Sequence, residues 1–187
     1  MRARTACIAI AAIASAGCVA IHTEEVGRPV WAQPVNASEC ASVSGTYGDA
    51  PVEQRGSSGA VVYRSFGNLL LSRAGSSARP VGIGSSHTTV AIVWIPPNVL
   101  QATIFGPHAD GIMNIHAKCD GNSVLIENGD AVGIEGGTNH VNENLRLFAV
   151  DGHLVAHAVV EIRHTSMGVP MGGFSEQAWY RFSRTAQ

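Results

Sequence analysis

The feature that most constrains the fold is a row of apolar residues at every second position near the C-terminus. In residues 153–164, apolar side chains occupy every second position: Leu154, Ala156, Ala158, Val160 and Ile162. The positions between them include polar side chains: His153, His157, Glu161 and Arg163. A period of two predicts a β-strand with one buried face. Asp151-Gly152 directly precedes this strand and Asp120-Gly121 lies upstream, and both dipeptides are typical of tight hairpin turns.

Shorter runs of the same kind cover much of the chain. They predict strands at 40–49, 87–95, 98–106, 111–119, 122–128, 130–137, 141–150 and 176–184, with loops at 50–59 and 165–175. Residues 60–74 are ambiguous, because Val61–Tyr63 favours a strand while Phe66, Leu69 and Leu70 have helical spacing.

About eight or nine short strands joined by turns indicate a mainly β protein. We expect an antiparallel meander that forms a small barrel or a two-sheet sandwich, with at most one short helix near 64–73. The whole of 40–187 is predicted to be a single β-rich domain.

The N-terminus has the pattern of an export signal. Arg2 and Arg4 precede the uncharged stretch Thr5–Ala16, which is too short for a comfortable membrane span. The residues Ser15-Ala16-Gly17-Cys18 resemble the lipobox of bacterial lipoproteins, in which the cysteine is lipidated and the chain is cut just before it. This resemblance implies a signal peptide at 1–17, lipid on Cys18 and a lipid-anchored tether at 18–39. The alternative is cleavage after Ala14-Ser15-Ala16, which would release a soluble periplasmic or secreted protein.

The four cysteines fit the lipoprotein interpretation. Cys7 would be removed with the signal peptide, and Cys18 would carry lipid. Cys40 and Cys119 then remain, and we predict that they form a disulfide in an oxidising compartment. Because Val19 and not aspartate follows Cys18, the resemblance also implies the outer membrane, facing the periplasm or the cell surface.

The charge distribution excludes two kinds of partner. Without Arg2 and Arg4, 10 basic residues face 14 acidic ones, and Lys118 is the only lysine. Binding along a nucleic acid or to anionic lipid through a polybasic patch needs clustered Lys and Arg. The sequence therefore predicts no nucleic-acid partner and no polybasic membrane contact.

No motif for metal binding or catalysis stands out. His153 and His157 would converge on zinc in a helix, but four strand residues span about 13 Å, so they are predicted to be solvent-facing, with His116 on another strand. Ser175 lacks the strand–turn–helix context of a nucleophile elbow, and Ser85, Ser86 and His87 are explained by a glycine–serine loop. Gly82 and Gly84 lack the rest of a dinucleotide fingerprint. We expect no cofactor and no metal.

The aromatic residues are few, and Trp94, Trp179 and Tyr180 are among those that lie in predicted strands. They are predicted to pack in the core or at its rim. In a barrel, the small inward side chains of Ala156 and Ala158 would leave room for an apolar ligand.

The segment Gly45-Thr46-Tyr47 and the terminal Trp179–Phe182 resemble small uncharacterised lipoproteins of Gram-negative bacteria. Gly45-x-Tyr47 is also similar to the opening of lipocalin barrels, with tyrosine in place of tryptophan. Our leading hypothesis is a non-enzymatic, lipid-anchored envelope protein that binds a partner protein, an envelope component or a small apolar ligand. A periplasmic hydrolase and a purely structural envelope lipoprotein are the alternatives.

Overall fold

The predominance of β-structure is confirmed. A computed structural model describes residues 21–23, 26–33, 39–57, 65–73, 88–106, 111–134 and 136–185. The strands within these ranges are β1 (Ile21–Thr23), β2 (Gly45–Gly48), β3 (Glu53–Gly56), β4 (Thr89–Ile95), β5 (Val99–Phe105), β6 (Gly111–His116), β7 (Lys118–Asp120), β8 (Ser123–Ile134), β9 (Gly137–Val150), β10 (His153–Ser166) and β11 (Val169–Ser183). One α-helix, α1 (Phe66–Leu71), and two 3-10 turns, Val30–Ala32 and Cys40–Val43, complete the described elements.

The strands form two sheets. The large sheet has the order β1-β11-β10-β9-β8-β7, with β3 also pairing with β11, and the small sheet has the order β2-β4-β5-β6. All pairs are antiparallel except β1 with β11. An isolated bridge between Tyr47 and Arg184 links the small sheet to the end of β11. Of the two predicted architectures, the structure is a sandwich and not a closed barrel.

The core lies between the sheets, on the face that the alternation predicted. Leu154, Ala156, Ala158 and Val160 of β10 are all buried. They join one cluster with apolar side chains of the small sheet: Val90, Ile92, Trp94, Leu100, Ala102, Ile104, Met113 and Ile115. Removing this apolar surface from water is the main stabilising contribution. Because Ala156 and Ala158 are packed inside this core, the prediction that they leave room for an apolar ligand in a barrel is wrong.

Helix α1 is the short helix predicted near 64–73. The Ser65 hydroxyl accepts a hydrogen bond from the Asn68 amide at 3.1 Å and caps the first turn. Phe66, Leu69 and Leu70 are fully buried, so the helical spacing reflects one buried face. The strand predicted at Val61–Tyr63 lies outside the described residues.

The predicted strands differ from the observed ones mainly in length. The expected strands at 122–128 and 130–137 are largely merged in β8, and the loop expected at 165–175 is occupied by the end of β10, a turn and the start of β11. That turn is Met167-Gly168, with φ of 51° and 78°. It has the same form as the predicted turn at Asp151-Gly152, with φ of 48° and 74°. Methionine is uncommon at a position of positive φ, so the sequence gives no usual signal for a hairpin there.

Three further predictions about strands are wrong. Residues 40–43 form a 3-10 turn, so the first strand of the domain begins only at Gly45. The loop expected at 50–59 contains β3, which covers part of the edge of β11. The single strand expected at 111–119 is broken at Ala117, where the chain passes from the small sheet to the large one.

Residues 1–20, including the predicted signal peptide and Cys18, lie outside the described residues. The lipid-anchored tether at 18–39 stays a prediction, but its residues 26–33 lie against the outer face of the large sheet. Ala32 is fully buried there in a small cluster, and Val26 and Trp31 pack against that cluster. The Trp179 indole donates a hydrogen bond to the Val26 carbonyl at 3.3 Å.

The two long hairpins of the large sheet, β8–β9 and β10–β11, extend past the buried core. No described side chain in 127–144 or in 161–177 is buried. Neighbouring strands approach each other closely there: a Cβ on Gly173 would clash with the Ile162 carbonyl within the β10–β11 hairpin, and a Cβ on Gly137 would clash with the Thr165 carbonyl between the two hairpins. Glycine at these positions lets the backbones come together.

Candidate functional site

The candidate site is a cleft on the outer face of the large sheet, opposite the core. We call it the outer-face cleft, and it is lined by Leu125, Glu127, Asn144, Arg146, His157 and Val159. Its volume is about 230 Å³. Ligand pockets for drug-sized molecules are commonly about 300–1,000 Å³. The cleft therefore suits one side chain or a small polar group better than a large ligand.

Strand register builds the cleft from two rows of cross-strand neighbours. In one row, Arg146 of β9 lies between Leu125 of β8 and His157 of β10. In the next row, Asn144 lies between Glu127 and Val159. Residues two apart on a strand point to the same face, so the alternation that buries the inner row also places these side chains outside.

His157 is held against Trp179, its cross-strand neighbour on β11. The two rings are stacked, with centroids 3.9 Å apart and planes 11° apart. Phe148 contacts Trp179 edge to face, and the guanidinium of Arg28 lies 4.9 Å from the Phe148 ring. The 26–33 segment therefore covers the far side of the tryptophan and limits how His157 can move.

The imidazole of His157 is half-buried, and its Nε2 atom has no hydrogen-bond partner among the described residues. Burial lowers the pKa of His157, an interaction with Gln177 opposes that change, and the charges of Arg146 and Arg28 lower the pKa further. The lowered pKa favours the neutral imidazole, in which one ring nitrogen donates a hydrogen bond and the other accepts one.

The charged groups of the cleft already have partners. The Arg146 Nη1 atom lies 2.6 Å from the Asp120 carboxylate and 3.3 Å from the Ser123 hydroxyl. The Glu127 carboxylate lies 2.5 Å from the Lys118 ammonium. The imidazole of His157 is thus a group of the cleft whose hydrogen-bonding capacity at Nε2 is used by no described residue.

The structure separates the predicted candidates for chemistry. His153 and His157 share the outer face, as expected, but His157 is stacked on Trp179 and is not simply solvent-facing. His116 lies in β6 of the small sheet. In the described part of the chain, no three His, Cys, Asp or Glu side chains are grouped so that they could hold a metal ion.

The predicted serine candidates do not join the cleft. Ser175 lies within β11, two rows from His157. Ser85, Ser86 and His87, with Gly82 and Gly84, lie outside the described residues. The lining of the outer-face cleft contains no serine, threonine or cysteine to act as a nucleophile.

The predicted aromatic positions divide between two clusters. Trp94 and Tyr180 are in the main core, whereas Trp179 is in the small outer cluster with Phe148. The sequence shows that Trp179 and His157 occupy strands, but it does not show that they are opposite each other, because that depends on the register of the unrecognised Met167-Gly168 hairpin.

Cys40 and Cys119 lie side by side in disulfide geometry, with their Cα atoms 5.8 Å apart. This separation is within the range that a disulfide requires. Cys40 lies in the 3-10 turn that precedes β2, and Cys119 lies in β7 at the edge of the large sheet. A bond here would join the start of the domain to that edge.

A second cleft, of about 530 Å³, lies at the other end of β11 and is lined in part by Thr46, Val93 and Arg184. Its one charged side chain, Arg184, already donates to the Ser44 carbonyl and lies over the Tyr47 ring. This cleft therefore offers fewer open polar groups than the outer-face cleft.

Comparisons with protein-family models, curated proteins and solved structures found no match for this chain. Within the described ranges, no helix is long and apolar enough to cross a bilayer.

The environment of His157 predicts a pH-dependent stability. A histidine whose pKa is lower in the folded state contributes stability above its unfolded pKa of about 6.5, and this contribution is lost as the pH falls below that value. His157→Phe keeps a ring against Trp179. We expect its free energy of unfolding, measured by urea denaturation, to fall less between pH 7.5 and pH 5 than that of the wild type.

The control for this prediction is His116→Phe, which changes an exposed histidine of the small sheet. It should retain the pH dependence of the wild type. Equal pH dependence in all three proteins would contradict the role assigned to His157.

Proposed function

We propose that this chain is a lipid-anchored protein of the bacterial cell envelope, held in the outer membrane by Cys18, whose β-domain is a non-enzymatic binding module for a partner protein. The outer-face cleft is the site that takes a polar side chain of that partner. The observation that carries the binding proposal is the Nε2 atom of His157, a residue that lines the cleft; this atom is buried and has no hydrogen-bond partner among the described residues.

The anchoring proposal rests on the cysteines. The lipobox-like Ser15–Cys18 supplies the attachment site, and the disulfide geometry of Cys40 and Cys119 accounts for the other two cysteines of the processed chain. Paired cysteines favour an exported protein, because thiols in the cytosol are kept reduced.

A partner protein is favoured over a small apolar ligand by the shape and chemistry of the site. The two-sheet core is filled by side chains, whereas the outer-face cleft is small, open and lined by imidazole, amide and partnered ionic groups. A protein surface can insert one hydrogen-bonding side chain there while covering the surrounding strands. The absence of a nucleophile from the lining argues against the hydrolase alternative at this cleft.

The test follows the protein and its neighbours in its own membrane. Wild type is expected in the outer-membrane fraction, and Cys18→Ser is expected to be unprocessed or released from that fraction. A photo-crosslinking residue at Asn144, beside His157, should give one defined product, and that product should decrease in His157→Phe. The same residue at Ile112, exposed on the small sheet, is the matched control and should not give that product.

A fully soluble wild-type protein that begins at Gly17 would refute the anchor. An anchored protein that gives the same crosslinks from Asn144 and Ile112, unchanged by His157→Phe, would refute the cleft as the binding site.

A further inference from the structure

The β10–β11 hairpin ends in an exposed group of apolar side chains that the core does not use. We call it the apolar tip, and it consists of Met167, Val169, Met171 and Phe174. Met167 is 99% exposed and sits at the turn itself. Val169 is paired with Ser166 and Phe174 with Ile162, so both lie on the same face of the hairpin, and Met171 lies at the register shift between them. The free end of the hairpin is therefore apolar at the turn and along one face.

The positive φ of Met167 is a costly backbone conformation for methionine, and aspartate or asparagine would reduce that cost. Met167 and Asp151 occupy equivalent positions in two similar turns, each with positive φ and each followed by glycine. Aspartate and asparagine tolerate this conformation far better than methionine. A fully exposed methionine in a strained position is unfavourable in water, and such outliers point to a functional role.

The first described strand shows which end of the molecule faces the proposed anchor. β1 pairs in parallel with β11, with Ile21 opposite Gly173, so the N-terminal end of β1 is directed toward the Met167-Gly168 turn. Gly173 is about 20 Å along the strand from Met167. Cys18 precedes Ile21 by three residues, which reach at most about 10 Å. A lipid on Cys18 would therefore bring the bilayer to the end of the domain that carries the apolar tip.

The charges of this hairpin are compatible with a bilayer surface. Residues 163–172 contain Arg163 and His164 and no carboxylate. Arg163 pairs with Glu161, farther from the turn. Basic groups behind an apolar end are the arrangement found in segments that insert into the interface of anionic membranes.

We propose that the apolar tip inserts into the interfacial region of the bilayer that holds the anchor, as a second membrane contact beside the lipid. This inference rests on the proposed function, since it takes the position of the anchor from Cys18. A lipid surface is the occupant that the geometry favours, because the exposed apolar side chains project from the free end of a hairpin and the N-terminal end of β1 is directed toward that same end. Together the two contacts would set the orientation of the domain, with the opposite end of β11 farthest from the membrane.

The test places tryptophan in the anchored, full-length protein at Val169 and, as a matched control, at Val93. Both valines are exposed strand residues, 57% and 48% respectively. Val93 and Arg184 line the same cleft. Arg184 directly follows the end of β11 and is about 45 Å along that strand from Val169. In vesicles that contain phosphatidylethanolamine, phosphatidylglycerol and lipids brominated in the acyl chain, Val169→Trp should show a blue-shifted, quenched emission relative to wild type. Val93→Trp should show neither change.

A second substitution separates membrane contact from folding. Met167→Asn in the Val169→Trp background should raise or preserve the melting temperature, because asparagine suits positive φ, and should abolish the added quenching. Retained quenching in this variant would overturn the proposal. A blue shift that depends on protein concentration in lipid-free detergent would assign the tip to a second copy of the chain and would also overturn it.

The outcomes distinguish this proposal from the anchor. If the protein is anchored and Val169→Trp behaves as Val93→Trp does, the tip proposal fails and the anchor stands. If the wild type is soluble, the anchor proposal fails. The same vesicles are then added to soluble Val169→Trp, and the absence of a blue shift would overturn the tip proposal as well.

Discussion

Replacing Cys40 and Cys119 together by alanine should lower the free energy of unfolding by about 4 kcal/mol, which is the chain-entropy value for a closed loop of this length. The two residues are 79 positions apart, and the loop between them contains α1, β2 to β6 and the crossing at Ala117. Such a loss is large relative to a typical domain stability of about 5–15 kcal/mol. Guanidinium denaturation of the processed protein measures it.

The matched control is reduction. A thiol reductant should lower the stability of the wild type by a similar amount and leave the double alanine variant unchanged. If the wild type is unfolded in the presence of a reductant and its free energy of unfolding is the same as without reductant, the two sulfurs are not bonded.

Phe66→Ala should destabilise the domain by about 3–5 kcal/mol, the range for removing a fully buried aromatic ring. The Phe66 side chain packs α1 against both sheets. Its ring centroid lies 4.8 Å from that of Phe182 in β11 and 6.3 Å from that of Tyr47 in β2. The cost includes both the lost burial and the cavity left behind. Thermal or urea unfolding measures the change.

Phe66→Leu is the control for the same position. It keeps most of the apolar volume and should cost clearly less than the alanine variant. Equal losses for the two variants would indicate that the ring itself, and not its volume, supports the packing.

The sequence predicted the buried row of β10, because that depends only on alternation. Leu154, Ala156, Ala158 and Val160 are buried as expected, and Asp151-Gly152 forms the expected turn. Val155, on the opposite face, is also buried, because it packs in the small cluster with Ala32. The helical spacing of Phe66, Leu69 and Leu70 likewise identified α1. These are local properties, fixed by side-chain direction and by the backbone conformations that each residue allows.

The cleft could not be predicted, because it depends on register between strands. Arg146 meets His157 because β9 and β10 are joined by a two-residue turn. His157 meets Trp179 because of the Met167-Gly168 turn together with a register shift between His164 and Thr165. The second turn lacks a usual hairpin sequence, so residues 165–175 resemble a loop. The packing of 26–33 on the outer face was also hidden, since this short segment has no periodicity of its own.

The pairing of β1 and β3 with β11 affects the order in which the chain can fold. β11 supplies the neighbour for both strands, although it is made last and they are made early. Contacts between residues so far apart in sequence form slowly, because a long loop must close before they stabilise the chain. During synthesis, β1 and β3 therefore have no partner on β11 until residues 173–181 emerge. The large sheet can be completed only after nearly the whole polypeptide has been delivered.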